Sequence, residues 1–241
     1  MKFQKYMAVG ILGLTMALGF SGCQSENQKN QDAYRKIGIN SMAEGDYDKA
    51  VKSFQKALDT SLGKIGAEEI DICYYKAAAQ FAKKDYDGAI ETYTSLIDYD
   101  KENANAYYLR GSVYLDTDKK DKAFKDYKNA VKYAGREYEI YEGIYENLTN
   151  KGETEEAKNY LKKALDIKPK DGADYAEQGH VYYLLEDYTQ AKSSLDRAID
   201  KDDKTALLYL AEVYNATDQQ EQGQALLESY VKENAKDSEA L

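Results

Sequence analysis

The chain has 241 residues, 24 of them Tyr, with one His, two Cys, one Pro and no Trp, and its formal net charge is −10. Neutralising nucleic-acid phosphates takes clustered Lys and Arg, and no such stripe interrupts the acidic surplus, so nucleic acid is set aside as a partner. Two cysteines offer no disulfide or metal framework, and a hydrophobic content of 43% spread along the chain suits an elongated array better than one globule.

The first 22 residues read as an export signal. Lys2 and Lys5 supply positive charge ahead of an apolar run over 6–20. Fifteen residues fall short of the roughly 20 that span a bilayer as a helix, so a cleaved signal fits better than a membrane anchor. The run ends Phe20-Ser21-Gly22-Cys23, which resembles a bacterial lipobox, with Phe where Leu is usual. The resemblance implies cleavage before Cys23, a diacylglycerol on its thiol and an acylated new amine. Two or three acyl chains hold a membrane durably where one does not. Losing Lys2 and Lys5 leaves a still more acidic body, which anionic headgroups repel, so the lipid is expected to be the main hold on the membrane. Residues 23–30 are expected to form the lipidated Cys and a polar tether. Gln24 is not the Asp that inner-membrane retention often uses in Gram-negative bacteria, which leaves an outer membrane open where a second membrane exists.

From residue 31 onward one phrase returns six times. It opens as Asp46-Tyr47-Asp48-Lys49-Ala50, returns as Asp85-Tyr86-Asp87-Gly88-Ala89, and is anchored by a small residue at Ala50, Ala89, Ala123, Ala157, Ala191 and Gly223. The steps are 39, 34, 34, 34 and 32 residues, the period of a helix–turn–helix solenoid. A partner phrase precedes each copy, as in Tyr34-x-x-Ile37-Gly38-x-x-Ser41, Tyr107-x-x-Arg110-Gly111-x-x-Tyr114 and Tyr175-x-x-Gln178-Gly179-x-x-Tyr182. Its spacing of i, i+3, i+4 and i+7 is one face of a helix. Gly38, Gly111 and Gly179 allow close approach of the second helix. Tyr145 stands in that slot in the fourth copy, where a splayed or shifted pair is expected.

The two phrases together resemble the tetratricopeptide repeat, whose pattern is aromatic–x2–Leu–Gly–x2–Tyr, then Ala–x3–Phe, then Pro. The resemblance implies an all-α superhelical solenoid of about six repeats over 31–235, starting near 31, 70, 104, 138, 172 and 204, with a frayed tail over 236–241. The longer 39-residue step contains Gly63 and Gly66, read as a lengthened turn or a hinge. Cys73 takes a position that other copies fill with Tyr and is expected to be a small buried hydrophobe.

In that family the first helix of each repeat lines a concave groove that binds extended peptides or partner helices. The resemblance places Tyr74, Tyr75, Phe81 and Tyr108 along the middle of the groove. It places Glu142, Glu146, Glu177, His180, Tyr183, Tyr209 and Glu212 toward its C-terminal half. Tyr offers an apolar face with a polar tip, and carboxylates beside it favour a partner segment bearing Lys or Arg. The same rings serve equally well as packing between repeats. Ile39 and Ala78 stand where Asn would be needed to clamp a C-terminal carboxylate, so that family chemistry is not expected.

His180 is the only histidine, and Glu177 lies three residues before it on one helix face. Two groups alone do not make a general base or a metal site. No enzymatic role, cofactor or metal is expected. The function implied is a non-catalytic scaffold or adaptor for a protein partner, lipid-anchored at Cys23 on the outer side of a bacterial membrane. Alternatives are a glycan- or peptide-capturing surface lipoprotein, since Tyr faces stack on sugar rings, and a pilus or secretion assembly factor.

Overall fold

A computed structural model describes residues 26–61, 63 and 65–238, with side chains described as far as 232. Cys23, the export signal and the end of the tail lie outside the described residues. These residues form twelve helices and, among them, no strand. Two compact units divide the chain between Ala134 and Gly135. The first holds α1 (Glu26–Ala43), α2 (Tyr47–Asp59), α3 (Ala67–Ala82), α4 (Tyr86–Tyr99), α5 (Ala104–Asp116) and α6 (Lys120–Tyr133). The second holds α7 (Tyr138–Asn150), α8 (Thr154–Ala164), α9 (Gly172–Leu184), α10 (Tyr188–Ile199), α11 (Ala206–Ala216) and α12 (Gln220–Ser238). Each unit is a stack of three helical hairpins.

The period of the sequence reappears as a period of burial. Ala50, Ala89, Ala123, Ala157 and Ala191 are all fully buried, because a larger side chain there would hold the two helices of a hairpin apart. Four residues on, Phe54, Tyr93, Tyr127, Leu161 and Leu195 fill the space so created, and each is at most 1% exposed. Across the hairpin a Cβ at Gly38 would stand 2.5 Å from the Phe54 ring, one at Gly111 2.8 Å from Tyr127, and one at Gly179 2.6 Å from Leu195. In α7, Tyr145 is only half-buried, while Gly143, Ile144 and Leu148 turn inward.

The six turns inside the hairpins share one geometry. A residue with left-handed backbone occupies each: Gly45, Lys84, Asp118, Gly152, Glu186 and Asp218, with φ between 56° and 82°. The next residue donates its N–H to the carbonyl five residues back, from Asp46 to Ser41, Asp85 to Gln80, Lys119 to Tyr114, Glu153 to Leu148, Asp187 to Tyr182 and Gln219 to Tyr214, all at 2.8–2.9 Å. This is the hydrogen bond of a Schellman helix end, and it consumes a carbonyl that the helix leaves unpaired. Asp46, Asp85 and Asp187 then cap the following helix, accepting from the backbone N–H three residues ahead.

Two ends differ from the expectation. Helix α1 begins at Glu26, so part of the stretch read as a tether is helical. Glu26 lies in its first turn, where the helix dipole favours a carboxylate, and buried Gln31 donates to Glu69 of α3 at 2.8 Å, fixing the start against the next hairpin. Helix α12 runs to Ser238, through part of the expected tail. Between α2 and α3, Gly63 takes φ +76°, and the Gly66 N–H donates to Glu69. Cys73 is half-buried against the cluster around Ala77 and Tyr93, and burial pushes its thiol up.

Candidate functional site

In the first unit the four aromatic groove residues are half-buried and engaged with their neighbours. The Tyr74 hydroxyl donates to Asn103 at 2.6 Å, and Asn103 is the residue that caps α5. Tyr75 stacks on Phe54 with centroids 5.6 Å apart, under the guanidinium of Arg35. Phe81 meets Tyr86 edge-on at 5.6 Å, and Tyr108 leans on Tyr127 at 6.4 Å. Each ring therefore joins its helix to another or to the next hairpin.

The second unit gathers the acidic residues. Glu142 of α7 and His180 of α9 are 38 residues apart, one repeat period plus one helical turn. The His180 Nδ1 lies 2.9 Å from Glu142 Oε1, with the two side chains 19% and 18% exposed. A carboxylate only accepts, so Nδ1 carries the proton when Glu142 is ionised. Arg136 and Asp174 form an ion pair across the same stretch of chain at the same spacing. Glu177 stands one turn before His180 on α9. From α11, Tyr209 lies flat on the His180 ring, with centroids 4.3 Å apart and planes 9° from parallel. Tyr183 stacks on the imidazole more distantly, at 6.1 Å. Glu212 is exposed at the rim, and Glu146 is half-buried one turn beyond Glu142.

The charges in this cluster are unbalanced. Burial, then the charges of Glu142 and Glu139, pushes the Glu177 carboxyl up to about 7, with His180 pulling the other way. For His180, burial works downward, but the hydrogen bond and charge of Glu142, helped by Glu177 and Glu212, outweigh it and the net direction is up. Burial and the same carboxylates raise the Tyr209 hydroxyl. The sequence left Glu177 and His180 without a third group; the structure supplies Glu142. The signal was the 38-residue spacing, legible only once the helices were known to run in parallel one period apart.

A second polar arrangement escaped the sequence reading. Arg110 takes the place of the pattern's Leu, yet its guanidinium is directed inward. Its Nε and Nη2 donate to both oxygens of Asp126 on α6, at 2.7 and 2.9 Å, and Nη1 donates to Thr94 Oγ1 on α4 at 2.9 Å. Two hairpins later the equivalent positions hold Gln178 and Ser194, joined by a hydrogen bond; one hairpin earlier Thr92, in the place of Asp126, donates instead to Gln80, one turn beyond the position that matches Arg110.

Hairpins with one turn geometry and a small residue at each crossing define a helical-repeat protein. Models described as tetratricopeptide repeat match residues 32–61, 104–136, 146–171 and 177–239, and one described as TPR repeat matches 77–118. These cover well over half of the chain, which belongs to the tetratricopeptide repeat family. Among curated proteins it is 21% identical to anaphase-promoting complex subunit 3 of Schizosaccharomyces pombe, over 78% of this chain and 33% of that protein. The chain thus spans about a third of the length of that relative. Among solved structures, a tetratricopeptide repeat protein from Parabacteroides merdae superposes with a TM-score of 0.50 at 13% identity, covering 95% of this chain and 84% of the other. Pseudomonas aeruginosa pilF gives 0.47 at 16% identity, covering 86% and 93%. These likenesses are of fold.

Proposed function

We propose that the chain is a non-catalytic adaptor, held by lipid on Cys23 at the outer side of a bacterial membrane, that docks a basic segment of a protein partner along the first helices of its hairpins. The observation that carries the docking is the cluster of Glu142, Glu177 and Glu212 beside Tyr183 and Tyr209. Carboxylates steer Lys and Arg, while the rings give flat area that loses little entropy on contact. The lipid anchor rests on the Lys2, Lys5 and Phe20-Ser21-Gly22-Cys23 pattern. No helix among the described residues is long and apolar enough to cross a membrane.

Photocrosslinkers placed at Tyr183 and Tyr209, in the native envelope, should capture one protein through a segment rich in Lys or Arg, and Glu212→Lys should weaken the capture. Capture through an acidic or neutral segment, or capture that Glu212→Lys leaves unchanged, refutes the docking. Incorporation of a labelled fatty acid that survives Cys23→Ala refutes the anchor.

A further inference from the structure

The carboxylates facing His180 do more than line a docking surface. We infer that Glu142, Glu177 and His180 form a binding site for a divalent first-row transition ion, of the zinc class. Their ligand atoms all lie within 4.8 Å of one another. They come from only two helices, Glu177 and His180 as a Glu-x-x-His pair one turn apart on α9 and Glu142 from the facing side of α7. Residues three apart on a helix project together, which lets one helix supply two ligands at fixed separation.

The distances suit an ion. With metal–ligand bonds of about 2.1 Å, tetrahedral donors stand about 3.4 Å apart, so the 2.9 Å between His180 Nδ1 and Glu142 Oε1 opens by about 0.5 Å when zinc enters. The ion would take the place of the proton these two atoms share, and Glu177 closes the set by a small carboxylate movement. Imidazole nitrogen with two carboxylate oxygens favours zinc and its neighbours over calcium or magnesium, which prefer oxygen alone.

Two further features point to an occupant. Tyr138, one turn before Glu142 on α7, is 2% exposed, and its hydroxyl has no hydrogen-bond partner among the described residues. The Glu177 carboxylate acts on that hydroxyl, so it belongs to the same neighbourhood. A buried hydroxyl is rarely left unpaired, and a water on a bound ion would satisfy it. Tyr209 packs flat on the imidazole and holds the ring in one orientation. A divalent ion also supplies the positive charge that Glu142 and Glu177 lack.

The site shares Glu142 and Glu177 with the docking proposed above, which relies on the exposed rim as well. Partner capture can fail with the ion bound, and the rim can dock a basic segment with no ion present. The test is titration of the metal-stripped full chain with Zn2+ against a competing chelating dye, with Co2+ as a spectroscopic probe. One equivalent should bind, and Co2+ should show visible bands of a nitrogen- and oxygen-ligated ion. Losing an outer-sphere partner weakens metal binding about 10–100-fold, so Glu177→Gln, which loses a ligand, should weaken it at least about 100-fold. Glu142→Gln should behave likewise, with helical content retained in both. Glu212→Gln at the rim should change affinity less than about threefold, because an exposed charge outside the ligand set is screened. Absence of stoichiometric binding overturns the inference, as does one equivalent bound equally well by Glu177→Gln and the unaltered chain.

Discussion

Replacing Arg110 by Ala should be among the most damaging single changes in the first unit. Both oxygens of Asp126 are occupied by the guanidinium, and the Asp126 side chain is 4% exposed. The truncation would strand a carboxylate in the core and leave Thr94 without its donor. Removing one partner of a buried ion pair costs about 3–5 kcal/mol. With a urea dependence of about 2 kcal/mol per molar, the midpoint should fall by roughly 1.5–2.5 M. Circular dichroism during urea unfolding measures the shift, and hydrogen exchange should locate the loss of protection in α4, α5 and α6. Arg110→Lys should recover only part of it, since a point charge cannot fork across both oxygens. The double replacement Arg110→Leu with Asp126→Leu should lie closer to the unaltered chain than Arg110→Ala, because no charge is then stranded. A fall of less than about 0.3 M for Arg110→Ala, small against the urea slope, would refute the claim that Asp126 depends on its partner.

Three more outcomes follow from the hairpin geometry and one carboxyl pair. Gly38→Ala forces a methyl to within 2.5 Å of the fully buried Phe54 ring. Overpacking of this kind costs about 1–3 kcal/mol, offset by up to about 1 kcal/mol of helix propensity, so thermal denaturation should show net destabilisation. Lys84→Gly should do the reverse, raising stability by about 0.5–1 kcal/mol, because an L residue pays a steric penalty at φ +67° that glycine escapes. A lowered melting temperature would contradict it. Glu68 is pushed up to about 7 by burial and by its hydrogen bond with Asp32. Its folded value is above the unfolded one, so the folded state binds the extra proton. The contribution is present below the ordinary carboxylate range and is lost as pH rises through about 7. Glu68→Gln should flatten that portion of a stability–pH curve; an unchanged slope there would show that the two carboxyls do not share the proton.

The repeat was legible because its physical demand is strict. Only a small residue tolerates the crossing at Ala50, Ala89, Ala123, Ala157 and Ala191, so the spacing survives in the letters themselves. At Gly45 and Gly152 the left-handed turn position is held by glycine, which takes that backbone without penalty. At Lys84, Asp118, Glu186 and Asp218 the fold imposes the conformation on residues that do not announce it. Arg110 and Asp126 were hidden for a related reason. Charged residues on a helix pattern read as solvated, and only the hairpin geometry shows that the two cancel each other inside. The candidate site was half visible. Glu177 and His180 share a helix, while Glu142 reaches them through packing between hairpins. Tyr was ambiguous throughout, since a ring buried along one edge serves equally as mortar and as contact surface. The division at Ala134 and Gly135 falls where the 34-residue spacing is unbroken, which is why periodicity gave no sign of it.

The identical closing bond in all six hairpin turns makes those turns equivalent seams. A chain cut at Glu186 and rejoined at Gly152 meets the same backbone shape on both sides of the joint. Recombination between such points adds or deletes whole periods without inventing a junction, whereas one residue inserted within a helix would rotate the rest of that helix off its contacts. The length of this protein is therefore free to evolve in steps, and laboratory variants one period longer or shorter should be obtainable by splicing there.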